Sequence, residues 1–157
     1  MRLELSDQSQ KKKIVLASGV FDLLHWGHVK FLEEAKKAGG ENAELVVVVA
    51  RDATVEKTKG RAPTMGEYHR AALVDSLKVV DRAVMGYLNF NISDIIDDIK
   101  PDVIALGYDQ DDVMDEVQNY IRMKNLNIKV VRIAKFGEIA RLSSSKIKQK
   151  IIDKLSS

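Results

Sequence analysis

The chain has no cysteine among its 157 residues. Disulfides, thiolate zinc sites and a cysteine nucleophile are therefore excluded. The same lack suits a reducing compartment, and a cytoplasmic location is expected. No apolar run approaches the length of about 20 residues that spans a bilayer. The opening "MRLELSDQSQKKK" has no apolar centre of the kind a signal peptide needs. An excess of one charge sign is missing too: 25 basic against 23 acidic side chains leave a net charge of +2. That near balance gives no general attraction to nucleic acid or to an acidic membrane, so neither is expected as a partner. Internal repeats, linkers and low-complexity stretches are absent. Histidine is scarce, at three residues, and its placement is informative for that reason.

What is present reads as a globular protein, with 45% hydrophobic and 31% charged residues. A chain of this length suits one domain and buries roughly 68–70% of its unfolded surface. Residues 1–13 read as a polar, mobile leader and 14–157 as a single domain. "IVLAS" from Ile14 is a buried strand, and "GHVKFLEEAKKA" after it is a helix with Phe31, Leu32, Ala35 and Ala38 on one face. "ELVVVVA", from Glu44, is apolar on both faces, as a strand covered by helices on each side must be. A basic loop is expected over "RDATVEKTKGRAPTM", then a helix over "GEYHRAALVDSL" and a strand over "RAVMG". "NISDIIDDIK" is a helix that stops before Pro101. "DVIALG" and "IKVVRIA" are strands on either side of the helix "DVMDEVQNYIRMKN". The closing helix, "SSSKIKQKIIDKLSS", carries Ile147, Ile151, Ile152 and Leu155 on one stripe and has a serine cap. This alternation specifies an α/β fold: an open, Rossmann-like, doubly wound, five-stranded parallel sheet. Ligands of such sheets lie beyond the carboxyl ends of the strands, beside the first strand.

"GVFDLLHWGH", from Gly19 to His28, falls at that place. His25 and His28 are three residues apart and share one side of a helix's first turn. Free backbone N–H groups and the positive end of the helix dipole meet there, and Gly27 keeps the approach open. The result is a set of donors around one point, which suits a phosphate. Imidazole can donate a hydrogen bond whether neutral or charged. Two plain helix caps, or a metal site, are the other readings of HxxH. A metal would need a third ligand, and the remaining histidine, His69, belongs to a different helix, so no protein-held metal is expected.

The wider string resembles the nucleotidyltransferase superfamily signature, G-x-F-D-x-x-H-x-G-H. Gly19, Phe21, Asp22, His25, Gly27 and His28 all match it. "RLSSSKI", Arg141 to Ile147, resembles the superfamily's second signature, a serine- and threonine-rich helix start. There Ser143, Ser144 and Ser145 offer hydroxyls and N–H groups to phosphate, and one of them also serves as a plain N-cap. The segments "VVARDATVEKTKGRAPTMGEYHR", "VDRAVMG" and "IIDDIKPDVIALGYDQ" extend the similarity to the archaeal-type FAD synthases. The fold implied is the HxGH nucleotidyltransferase type.

The resemblance implies transfer of AMP from ATP to FMN, giving FAD and pyrophosphate. It also implies a divalent cation, Mg²⁺, and a homodimer. It gives His25, His28, Lys59 and Arg70 catalytic roles. Val20, Phe21, His25, Trp26, Gly27, His28, Asp109 and the three serines fall to ATP. Asp22, Arg61, and either Arg132 or Arg141, fall to the acceptor or a phosphate. Asp109 either meets the nucleotide's base or sugar or caps the next helix. Trp26 either meets the nucleotide or packs against the loop. Other acceptors fit the same chemistry: a polyol phosphate with CTP, or a sugar phosphate or phosphopantetheine with ATP. A non-catalytic nucleotide or flavin sensor, and a bare scaffold, are the readings outside enzymes.

Overall fold

The computed structural model describes residues 11–89, 91–136 and 142–157. Eleven elements follow in order. They are β1 (Ile14–Gly19), α1 (Trp26–Ala38), β2 (Glu44–Val49), α2 (Asp52–Lys59), α3 (Glu67–Asp75), β3 (Arg82–Met85), α4 (Ile92–Ile99), β4 (Val103–Gly107), α5 (Asp111–Lys124), β5 (Lys129–Ile133) and α6 (Ser144–Leu155). The five strands form one parallel sheet in the order β3-β2-β1-β4-β5, the expected doubly wound arrangement.

Strand alternation divides the core in two. Val15, Ala17, Leu45, Val47, Val49 and Ala105 face one side, where Leu32 and Ala35 of α1 and Val74 of α3 cover them. Leu16, Val48, Ile104 and Leu106 face the other side, against Ile92, Ile95 and Ile96 of α4 and Val117 of α5. The starts of three strands are pinned by aspartates. Ile14 N–H donates to Asp102 at 2.8 Å, Leu45 N–H to Asp81 at 2.7 Å and Ala83 N–H to Asp75 at 2.8 Å.

One element differs from expectation. The segment read as a basic loop contains a helix, α2, which buries only Val55. It ends because Gly60 takes a left-handed conformation at φ +70°, which a glycine adopts without strain. The stripe on α6 is present as expected, and it faces outward. Among the described residues α6 buries none, and Ile151, Ile152 and Leu155 are exposed. Its period is helical, but among the described residues nothing covers Ile151, Ile152 and Leu155. The leader's residues 1–10 lie outside the described residues. Lys13, at its other end, accepts a hydrogen bond from Glu44 N–H at 2.8 Å.

Candidate active site

The site grows from the loop between β1 and α1. His25 is the N-cap of α1, in extended conformation, and His28 is three residues into the helix. Each spends one ring nitrogen on the backbone. Gly27 N–H donates to His25 Nδ1 at 3.1 Å, and His25 N–H donates to His28 Nδ1 at 3.2 Å. This is a capping box built from two imidazoles, so the cap reading of HxxH is correct as far as it goes. It also fixes the tautomers: with Nδ1 accepting, the ring proton of each sits on Nε2. The rings stack with centroids 3.9 Å apart, and Phe21 meets His28 edge-on at 5.4 Å. Burial lowers the His25 pKa. Burial, then the neighbouring His25, carry His28 down to about 4, with Lys59 adding to the fall and Asp22 opposing it. Near neutral pH His28 is therefore an uncharged hydrogen-bond donor, and Lys59 is brought toward it from the end of α2.

Asp22 is buried and joins three parts of the chain. Its carboxylate accepts from Thr64 N–H at 2.9 Å, Met65 N–H at 3.0 Å and Lys148 Nζ at 2.8 Å. Its carbonyl accepts from the Ser144 hydroxyl. Burial pushes the Asp22 carboxyl up, but Lys148 and the two N–H groups outweigh it and hold the pKa at about 2. The backbone on either side is strained: Phe21 and Leu23 have φ of +55° and +49°. Such conformations cost bulky residues roughly 1–3 kcal/mol each and are kept only where the surroundings enforce them. The contacts of Asp22 are that enforcement. Expected as an acceptor or phosphate contact, Asp22 instead has its oxygens occupied by the protein and positions the loop.

Arg70 departs further from its expected role. It is fully buried. Its guanidinium donates to Met65 O at 2.9 Å, Val20 O at 2.5 Å, Ala50 O at 2.8 Å and Asp52 Oδ1 at 2.6 Å. A guanidinium so engaged ties the carboxyl ends of β1 and β2 together and is a positioning group. Beside it, Asp52 and Glu67 each cap the other's helix. Asp52 N–H donates to Glu67 at 2.7 Å and Glu67 N–H to Asp52 at 3.2 Å. Arg51 links Glu67, at 2.9 Å, to Gly86 O, at 2.8 Å. Glu67 first, and also the Tyr68 hydroxyl, raise the pKa of Arg51.

The serine run divides its work. Ser143 caps α6 through Lys146 N–H at 3.2 Å, Ser144 holds Asp22, and Ser145 accepts from Arg61 at 3.4 Å. Asp109 is exposed and does not cap α5, whose N-cap is Gln110. Trp26 is 50% exposed with Lys30 Nζ 5.5 Å above its ring. Arg132 pairs with Asp111 at 2.5 Å, and Arg141 lies outside the described residues. Sequence reasoning missed Lys148, Asp52 and Gln110. Lys148 was findable, since it stands four residues after Ser144 and so on the same helical face. Gln110 accepts from Gly107 N–H at 2.7 Å and donates to Ser18 O at 3.4 Å, joining β4 to β1. Nothing local in the sequence points to that link or to the Asp52–Arg70 pair.

Residues 16–150 match the model of the cytidylyltransferase-like family. The chain belongs to that family. Other members of it agree over nearly the whole length. The chain is similar to the FAD synthase of Aciduliprofundum boonei, with 47% identity over 141 residues, 90% of this chain and 91% of the relative. It is similar to that of Methanothermobacter marburgensis, with 45% identity over 146 residues, 93% and 89% of the two chains. Among solved structures it resembles the lipopolysaccharide core biosynthesis protein from Thermoplasma volcanium GSS1. That match has a TM-score of 0.71 and 45% identity over 80% of this chain and 98% of the other. A cytidylyltransferase-like domain thus accounts for the sheet order and for the place of the histidines at its switch point.

Proposed function

We propose that the protein is an FAD synthase: it joins the AMP part of ATP to FMN and releases pyrophosphate. The observation that carries this reading is the pair of neutral imidazoles, locked by the backbone so that each keeps an Nε2–H donor at one helix start. The relatives named above support FMN as the acceptor. An FMN phosphate oxygen attacks the α-phosphorus in line, and the bond from that phosphorus to the bridging oxygen of pyrophosphate breaks. The chain supplies position and charge stabilisation, with no covalent intermediate. His25 and His28 donate to the oxygens on which charge grows. Lys59 and Arg61, with the Ser145 hydroxyl, hold the phosphates. Val20, Phe21 and Gly27 shape the loop against the nucleotide, with Trp26 at its rim. Asp109 serves the nucleoside end. Arg70 and Asp22 keep the loop in shape. Of the two arginines expected near phosphate, Arg132 would first have to leave Asp111.

A divalent cation belongs to this proposal. Among the described residues no three histidine or acidic side chains form a group that could hold one. Asp22, the carboxylate that acts on His28, is already occupied. The donor set therefore does not build a resident site, and Mg²⁺ fits as an ion carried by the triphosphate and its waters. A homodimer and a cytoplasmic location are part of the same proposal. No helix among the described residues is long and apolar enough to cross a membrane.

The test is to incubate the purified protein with FMN, Mg²⁺ and either ATP or CTP, and to separate the flavins by chromatography. FAD with ATP and no product with CTP is expected. Product from CTP with glycerol phosphate, or from ATP with a sugar phosphate or phosphopantetheine, would move the acceptor while leaving the phosphate chemistry in place. Nucleotide binding with no product from any acceptor would make the protein a sensor.

A further inference from the structure

We infer that Tyr68 and Tyr87 form the platform for the flavin ring of the acceptor. The inference deepens the FAD synthase reading and rests on it. Among the described residues the exposed aromatic side chains are Trp26, Tyr68, Tyr87 and Tyr108. All four lie at the carboxyl edge of the sheet. Trp26 opens α1, Tyr68 is in the first turn of α3, and Tyr87 and Tyr108 follow the ends of β3 and β4. The reaction brings two flat ring systems to that edge, the adenine and the isoalloxazine, and they lie on opposite sides of the reacting phosphates.

Strand order separates the candidates. The histidines stand over β1. Tyr108, next to Asp109, is on the β4 side, and Lys135 Nζ already lies 4.9 Å over its ring. Lys30 lies over the ring of Trp26. Tyr68 and Tyr87 belong to the β2–β3 side, one and two strands from β1 in the other direction. Two strand spacings are about 9.6 Å, a span that an extended ribityl chain can bridge from phosphate to ring.

The two tyrosines share one rigid backing. Arg51 bonds Gly86 O, the residue before Tyr87, and Glu67, the residue before Tyr68. The Tyr87 hydroxyl is bonded to Asp98. Both rings reach solvent: Tyr68 is 73% exposed and Tyr87 40%. Exposed rings on a backbone fixed by Arg51 make a stacking surface for a large aromatic ligand.

Tyr68→Ala, Tyr87→Ala, the double variant, and the two Tyr→Phe variants test this. Steady-state FAD formation gives separate KM values for FMN and ATP, and quenching of FMN emission reports ring stacking without turnover. The Ala variants should raise the KM for FMN by at least about fivefold, the loss typical of one stacked ring, with the KM for ATP unchanged. The Phe variants should match the parent, because the ring and not the hydroxyl does the stacking. An unchanged KM for FMN in the double Ala variant overturns the platform while the FAD synthase reading stands. If the parent makes no FAD yet quenches FMN emission, and the double variant does not, the reaction is wrong and the platform stands. If the parent neither makes FAD nor quenches FMN, both readings fall.

Discussion

His25 and His28 each have two ring nitrogens, and the backbone takes one from each. The near nitrogen fixes the helix start and the far one is left for chemistry, so the two duties can be separated by substitution. Asparagine is as good an N-cap as any residue but has no ring donor at that distance. His25→Asn should therefore keep the stability of the parent and lose about 10²–10³ in kcat, as for one oxyanion donor. His25→Ala should lose the same activity and about 1 kcal/mol of stability besides. Urea denaturation beside turnover measures both. If His25→Asn retains full turnover, the ring proton has no part in the reaction. At this scale the histidines were legible because their spacing is local. Arg70 was not: its meaning lies in carbonyls at Val20 and Ala50, and no local pattern says whether a cation is exposed or enclosed.

The strands and five of the six helices were legible for a related reason. A run such as "ELVVVV" or the isoleucines of α4 carries its period within a few residues. α2 was hidden because a helix that buries one side chain has almost no apolar period. For α6 the period was plain but its destination was not, since amphipathicity says that a face is covered without saying by what. The described contacts that hold α6 are polar and sit in its first turns: Ser144 and Lys148 on Asp22, and Arg61 on Ser145. The bare stripe beyond them is a suitable face for the proposed homodimer. Light scattering on the parent should then give twice the chain mass. The double variant Ile151→Lys, Ile152→Lys should give the mass of one chain while keeping its folded circular dichroism. A monomeric parent would remove the dimer from the proposal.

Over the whole molecule, the displaced titrations make acid the weak side. His28 binds its proton near pH 4 in the fold against 6.5 for the free side chain. Between those values the unfolded chain takes up a proton that the native one refuses. Stability should be flat above pH 6.5 and fall between 6.5 and 4, by up to about 3 kcal/mol from this group. Asp22, at about 2 against 3.8, adds a second fall as pH drops through that lower range, of up to about 2 kcal/mol. Denaturant midpoints across pH measure both steps. Asp22→Asn should abolish the lower one, and its loss of the Lys148 ion pair should show already at neutral pH.

The sheet is fastened by opposite chemistries at its two ends. Aspartates receive N–H groups at the starts of β1, β2 and β3, and Arg70 gives its own to the carbonyls just past β1 and β2. Neither end can fray without breaking a charged bond, which leaves the central strands no cheap route to open. Their amide protons should exchange with deuterated water only through complete unfolding. Nucleotide held at the top of β1 would then slow exchange along the whole strand, down to Val15, by the same factor that it stabilises the protein.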